Sequence, residues 1–178
     1  MIEREIKEII SKEKYEEFQK LFDWHKTVVQ TNHYFTAKSD VLKDKKITVR
    51  VRETAEKNLI QIKVPQNFVG ALHVSKEIER EVEKVPETLP AELMQELLGF
   101  ETGELSKIGS LKTTRMIFDI DKTELCLDKN EYLGITDYEV EIEFFDKVDD
   151  YVEKKCKSAD IHFQKEATGK FARFVKNL

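Results

Sequence analysis

The most constraining feature of this chain is a two-residue alternation that puts ionic side chains on one face of almost every extended segment. Successive strand residues point to opposite faces, so each such segment needs water or counter-charge on one side and an apolar partner on the other. Residues 2–9 set Glu3, Glu5 and Lys7 against Ile2, Arg4 and Ile6. In 46–54, Thr48, Arg50 and Arg52 oppose Ile47, Val49 and Val51. In 58–64, Gln61 and Lys63 oppose Ile60, Ile62 and Val64. The segment 76–84 carries Glu77, Glu79, Glu81 and Glu83 on one face. Arg115 starts 114–121, and in 123–128 Glu124, Cys126 and Asp128 oppose Leu125 and Leu127. In 137–145, Glu139, Glu141 and Glu143 oppose Val140 and Ile142. With 28–36 these make eight predicted strands, rich in Val, Ile, Thr and aromatics. Short polar links such as Glu56-Lys57-Asn58 favour antiparallel hairpins.

Helices are predicted between them. Ser11 caps one that places Tyr15, Phe18, Leu21 and Phe22 on one face. Pro90 begins a second, carrying Leu93, Leu97 and Leu98, and Gly99 stops it. A third spans 147–158, with Val148, Val152 and Cys156 at four-residue spacing, and Thr168 caps a terminal one through Phe171, Phe174 and Val175. The expectation is one α+β domain over residues 1–178.

One solvated face is ordinary for an antiparallel sheet, and for any single strand that is the better reading. Neighbouring rows of like charge repel, however. They are better accommodated if the sheet curls, its charged faces lining a water-filled channel and helices covering its apolar exterior. Arg and Lys in such a lumen grip phosphate oxygens, with Arg favouring two-point contact. Adjacent carboxylates stay ionised together only with a cation among them, and Mg²⁺ or Mn²⁺ prefers oxygen ligands. Alternation alone therefore points to a polyphosphate chain with a divalent ion.

Composition narrows the alternatives. Charged residues make up 37% of the chain, yet 30 Lys+Arg against 35 Asp+Glu leave a net charge of −5. Broad nucleic-acid binding, which shows a basic excess, is disfavoured. No apolar run is long enough to span a bilayer, and the N-terminal residues lack the pattern of a signal peptide. Cys126 and Cys156 have no metal-binding or disulfide-scaffold spacing, so reduced thiols and a cytoplasmic location are expected. Thr168-Gly169-Lys170 is not a P-loop, because no glycine lies between Ile161 and Ala167. His25, His33, His73 and His162 lack metal-ligand spacing. Trp24 and the Tyr15–Phe22 stripe read as helix packing, and Asn32-His33-Tyr34-Phe35 as structure rather than chemistry.

Glu3-Arg4-Glu5-Ile6-Lys7 matches the ExExK signature of the CYTH superfamily, also called triphosphate tunnel metalloenzymes. Thr48-Val49-Arg50-Val51-Arg52 resembles that family's paired-basic strand, and Leu59-Ile60-Gln61-Ile62-Lys63 the strand bearing its next lysine. Gly109-Ser110-Leu111-Lys112-Thr113-Thr114-Arg115 is similar to the segment that supplies another arginine. Asp128 with Tyr138-Glu139-Val140-Glu141-Ile142-Glu143 resembles the acidic half of the site, and Gly169-Lys170-Phe171-Ala172-Arg173 the terminal basic segment. The resemblance implies an eight-stranded antiparallel β-barrel forming a tunnel, with flanking helices.

It also implies roles. Glu3, Glu5 and Glu141 would be metal ligands, with Glu139, Glu143 and Asp128 contributing, and Lys7 would act beside them. Lys7, Arg50, Arg52, Lys63, Arg115, Lys170 and Arg173 would hold phosphates. Glu79, Glu81 and Lys112 are assigned by register only. An ordinary solvated ion pair competes with every one of these roles, most strongly for Glu143, Lys112, Glu77 and Glu83 and least for Glu3, Glu5 and Lys7. The implied activity is Mg²⁺- or Mn²⁺-dependent hydrolysis of a triphosphate, whether inorganic tripolyphosphate, a nucleoside triphosphate or thiamine triphosphate. A cyclase making cyclic AMP and a non-catalytic polyphosphate binder are the alternatives.

Overall fold

The computed structural model describes residues 1–163 and 167–178, with the side chains of 67–69 outside that description. Eight long strands close into an antiparallel barrel: β1 (Ile2–Ile10), β2 (Lys26–Ala37), β3 (Thr48–Glu53), β4 (Asn58–Val69), β5 (Leu72–Val82), β7 (Leu105–Ile120), β8 (Thr123–Tyr132) and β9 (Ile135–Phe144). A two-residue strand, β6 (Thr88–Leu89), pairs with the start of β7. The order round the wall is β2-β3-β4-β5-β1-β9-β8-β7, and β2–β7 pairing closes the ring. Among the described residues five helices are attached: α1 (Lys12–Phe18), α2 (Val41–Asp44), α3 (Ala91–Leu98), α4 (Asp150–Ser158) and α5 (Lys170–Lys176).

The barrel carries charge inside and hydrocarbon outside. Val49, Val51, Ile60 and Ile62 on β3 and β4 are fully buried beneath Leu42 of α2 and Met94 of α3. Leu125, Leu127, Val140 and Ile142 on β8 and β9 pack against Phe18 of α1 and Val152 and Cys156 of α4. Each fully buried aliphatic side chain contributes about 1.5–3 kcal/mol, so the helices hold the wall in its curved form. Cys126 and Cys156 are both free and buried.

Several expected boundaries move, for local reasons. β7 begins at Leu105 rather than 114, because Ser106, Lys107, Gly109 and Ser110 hide its alternation. β4 continues past Pro65 by a register shift between Pro65 and Asn67. α4 starts at Asp150 because Asp149 accepts from the Tyr151 backbone N–H at 2.9 Å. Pro90 is the residue before α3 rather than its first turn, and the single turn of α2 escapes periodicity altogether. Gly169, not Thr168, occupies the N-cap of α5, and no side chain among the described residues caps it.

The last helix is seated by tertiary contact. Phe174 packs with Tyr34, Leu111 and Tyr132, and its ring lies against Gly109, where a Cβ would come within 2.7 Å of Cζ. Gly109 also has φ +146 and sits where the β2–β7 register shifts, so backbone and packing both demand glycine there.

Candidate active site

Register converts the alternation into a site. On β1, Glu5 lies opposite Glu143 and Lys7 opposite Glu141 of β9. On β8, Glu124 lies opposite Glu143, Asp128 opposite Glu139, and Asp128 again opposite Arg115 of β7. From the other half of the wall come Arg50 and Arg52 on β3 and Gln61 and Lys63 on β4. Most of these side chains line one lumenal cavity of about 270 Å³, which Lys170 reaches from α5.

The carboxylates form two trios whose oxygens lie within 4.8 Å of one another: Asp128, Glu139 and Glu141; and Glu3, Glu5 and Glu143. The first is already neutralised. Arg115 makes two-point contact with Asp128 at 2.8 and 2.7 Å and bonds Glu141 at 3.0 Å. Lys170 touches all three, at 2.9 Å from Asp128, 3.1 Å from Glu141 and in close contact with Glu139. Arg173 completes the knot through Glu139 and Asp137.

The second trio is only partly balanced. Lys63 lies 2.6 Å from Glu3 and 3.5 Å from Glu5, and Lys7 lies 2.7 Å from Glu5. Burial alone would raise the Glu5 carboxyl, but Lys63 and Lys7 overcome it and hold it at about 2. Glu143 has no cationic side chain within 4 Å among the described residues; burial, Glu141 and Glu3 push it up to about 8. Three oxygen donors with one uncompensated member fit a hard divalent ion, whereas the first trio has its cations built in.

The cationic wall has the converse imbalance. Arg50 donates to Gln61 at 2.9 Å and stands 3.7 Å from Glu77. Arg52 donates only to the amide oxygen of Asn32, at 3.2 Å, with no carboxylate within 4 Å among the described residues. Burial, then Arg50 and Arg115, push its guanidinium down to about 9, still protonated at neutral pH.

Residues 1–174 match the family described as the CYTH domain. The chain belongs to the CYTH family. A Bacillus subtilis relative named "Putative triphosphatase YjbK" is 29% identical over 120 residues, covering 66% of this chain. The matched region spans 63% of that relative's length. A solved "putative adenylate cyclase" from Bacillus halodurans is 26% identical, with a TM-score of 0.71 over 96% of this chain and 95% of the other. The Hippeastrum protein HpAC1, described as a putative adenylyl cyclase with a dominant triphosphatase activity, shares the fold at 22% identity. Its TM-score is 0.75, covering 98% of this chain and 95% of that one.

In this CYTH barrel Glu3, Glu5, Lys7, Arg50, Arg52, Lys63, Arg115, Glu141 and Lys170 all come to the lumenal cavity. Asp128 and Glu139 are fully buried in the knot and are not on the cavity wall, nor is Arg173. Glu143, expected to contribute to the metal site, and Glu77, given no role, both line the cavity, because closure of the barrel turns their strand faces inward. Glu79 also lines it and accepts from Gln61, while Glu81 is exposed and off the cavity. Lys112 is exposed on the face of β7 opposite Arg115. Glu124, Tyr34, Thr48 and Phe171 line the cavity without having been singled out as site residues. Glu124 shared a face with Asp128, the one signal that could have found it.

Proposed function

We propose that this chain is a divalent-metal-dependent triphosphatase that hydrolyses a terminal phosphoanhydride inside the barrel. The observation that carries the reading is a pair of groups in one cavity without an opposite charge among the described residues: the Arg52 guanidinium on β3, and on β9 the Glu143 carboxyl, which keeps its proton at neutral pH until a cation displaces it. Those strands stand four places apart in either direction round the eight-stranded ring. An unneutralised guanidinium calls for an anion, and an unneutralised carboxylate cluster calls for a cation. A polyphosphate with its counter-ion supplies both.

Glu3, Glu5 and Glu143 would hold Mg²⁺ or Mn²⁺, which when bound supplies positive charge to phosphate oxygens and acidity to a coordinated water. Arg50, Arg52 and Lys63 would bind the phosphate chain and offset the charge that builds on the bridging oxygen as it leaves. Water oxygen bonds to the terminal phosphorus while the bond from that phosphorus to the bridging oxygen breaks. The water's proton is released, and diphosphate or a diphosphate ester departs with orthophosphate as the other product. Lys7, 2.7 Å from Glu5 and 3.4 Å from Glu141, would keep the carboxylates spaced and oriented. No covalent nucleophile is required.

The test is release of orthophosphate from tripolyphosphate, ATP and thiamine triphosphate with Mg²⁺ or Mn²⁺, alongside Glu5→Gln and Arg52→Met. Metal-dependent release that both variants reduce supports the reading. Cyclic AMP and pyrophosphate as the products of ATP, or binding without turnover, would overturn it.

A further inference from the structure

The lumen opens into two unlike neighbouring cavities. On one side Glu3, Glu77, Glu124 and Glu143 are shared with a second cavity of about 270 Å³, where Asp119 and Asp121 join them against Arg4 and Lys122, so carboxylates outnumber cationic side chains at that mouth. On the other side Thr48 and Phe171 are shared with a cavity of about 650 Å³ under α2 and α5. Its walls are mainly apolar, drawn from Phe35, Leu42, Ile47, Ile108 and Val175, and Lys43, Lys46 and Lys176 also line it. A volume of that size falls within the range of about 300–1,000 Å³ typical of small-molecule sites. Val175 is 44% exposed there, apolar surface left open beside a charged tunnel.

The junction between tunnel and cavity is aromatic. Phe171 lies against the Tyr34 ring, centroids 5.1 Å apart. Tyr34 lines the tunnel, is 1% exposed, and its hydroxyl has no hydrogen-bond partner among the described residues. An unpaired buried hydroxyl costs stability unless a ligand completes it. A polyanion is repelled by the glutamate mouth and attracted to the lysine-bearing one.

We infer that the substrate is an organic triphosphate rather than free tripolyphosphate. Its phosphate chain threads the tunnel, its ring-bearing organic group rests in the apolar cavity against Phe171 and Val175, and the Tyr34 hydroxyl bonds a phosphate oxygen near the junction. Inorganic tripolyphosphate would leave the cavity and its apolar surface unused. The inference rests on the triphosphatase reading and names the class of substrate for that same site.

The experiment compares kcat/KM for ATP, thiamine triphosphate and tripolyphosphate in the wild-type chain, Phe171→Ala and Val175→Glu. The expected result is preference for a ring-bearing ester over tripolyphosphate, with each variant lowering that ratio about tenfold, mainly through KM. Val175 is surface-exposed, so its replacement leaves the core intact. In parallel, saturation-transfer NMR reads contact between the protein and the ring protons of ATP, expected in the wild type and lost in Val175→Glu. Tripolyphosphate turned over as well as the esters, with a ratio that neither variant moves, overturns this inference and leaves the triphosphatase reading standing. No phosphate release from any substrate overturns the triphosphatase reading; the ring-proton signal still decides whether the cavity takes the organic group.

Discussion

Lys170, on the last helix, lies 2.9 Å from Asp128, a carboxylate that Arg115 already grips at two points. The contact joins α5 to the inner wall of the barrel. Lys170 and Asp128 are both buried, so neither charge can be removed without exposing the other's desolvation. Lys170→Met is expected to destabilise the fold by about 3–5 kcal/mol at neutral pH, measured by urea unfolding. Against the rise that burial alone would cause, Arg115 and Lys170 hold Asp128 below its ordinary range. That stabilisation is present above the unfolded pKa and fades as pH falls through the folded one. The gap between wild type and Lys170→Met should therefore close in acid.

Arg52 should behave in the opposite way. It is half-buried near Arg50 and Arg115, and among the described residues its one partner is the Asn32 amide. Arg52→Met relieves repulsion, so the ligand-free protein is expected to unfold at equal or higher denaturant, by about 1 kcal/mol. Loss of a charge-assisted phosphate contact should raise the KM for triphosphate by about tenfold or more. A variant that lost stability and affinity together would contradict this account.

Glu143 gives the pH signature. Its carboxyl is raised from 4.5 to about 8, so between those values the folded chain keeps a proton that the unfolded chain has released. In EDTA, this group's stabilising contribution is complete below the lower value and is lost as pH rises through the higher. The slope is at most about 1.4 kcal/mol per pH unit. Glu143→Gln should flatten that part of the thermal-stability profile. Mn²⁺ should raise the melting temperature of the wild type at pH 8 by more than that of Glu143→Gln.

Gly109 tests how α5 is seated. Gly109→Ala brings a methyl to 2.7 Å from the Phe174 ring and strains a backbone at φ +146. A loss of about 1–3 kcal/mol is expected, measured as a lower denaturation midpoint. Because Lys170 is on the same helix, catalytic turnover should fall as well. Adding Phe174→Leu removes the clash but not the strain, so the double variant should recover part of the stability, a non-additivity typical of residues in contact.

Much of the wall was readable residue by residue. Glu3, Glu5 and Lys7 share a face because strand geometry makes them, and the same rule places Arg50 with Arg52 and Glu139 with Glu141 and Glu143. The lower half of β7 was not readable, since Gly109 and its polar neighbours break the pattern that Phe174 later explains. Glu77 was left without a role, and Glu143 had only a contributing one, because nothing local distinguishes a glutamate facing bulk water from one facing a lumen.

By itself the sequence determined which side chains share a face, and hence that one face of the sheet is ionic and the other apolar. Facing is a local property, set by the two-residue repeat of each strand. The tertiary structure decided what those faces meet. Pairing of β2 with β7 closes the ring, sets β3 across from β9, and leaves Arg52 and Glu143 without an oppositely charged partner among the described residues, while Asp128 and Glu139 are saturated by Arg115, Lys170 and Arg173. Charge matching depends on neighbours far apart in the chain, and only the closed barrel brings them together.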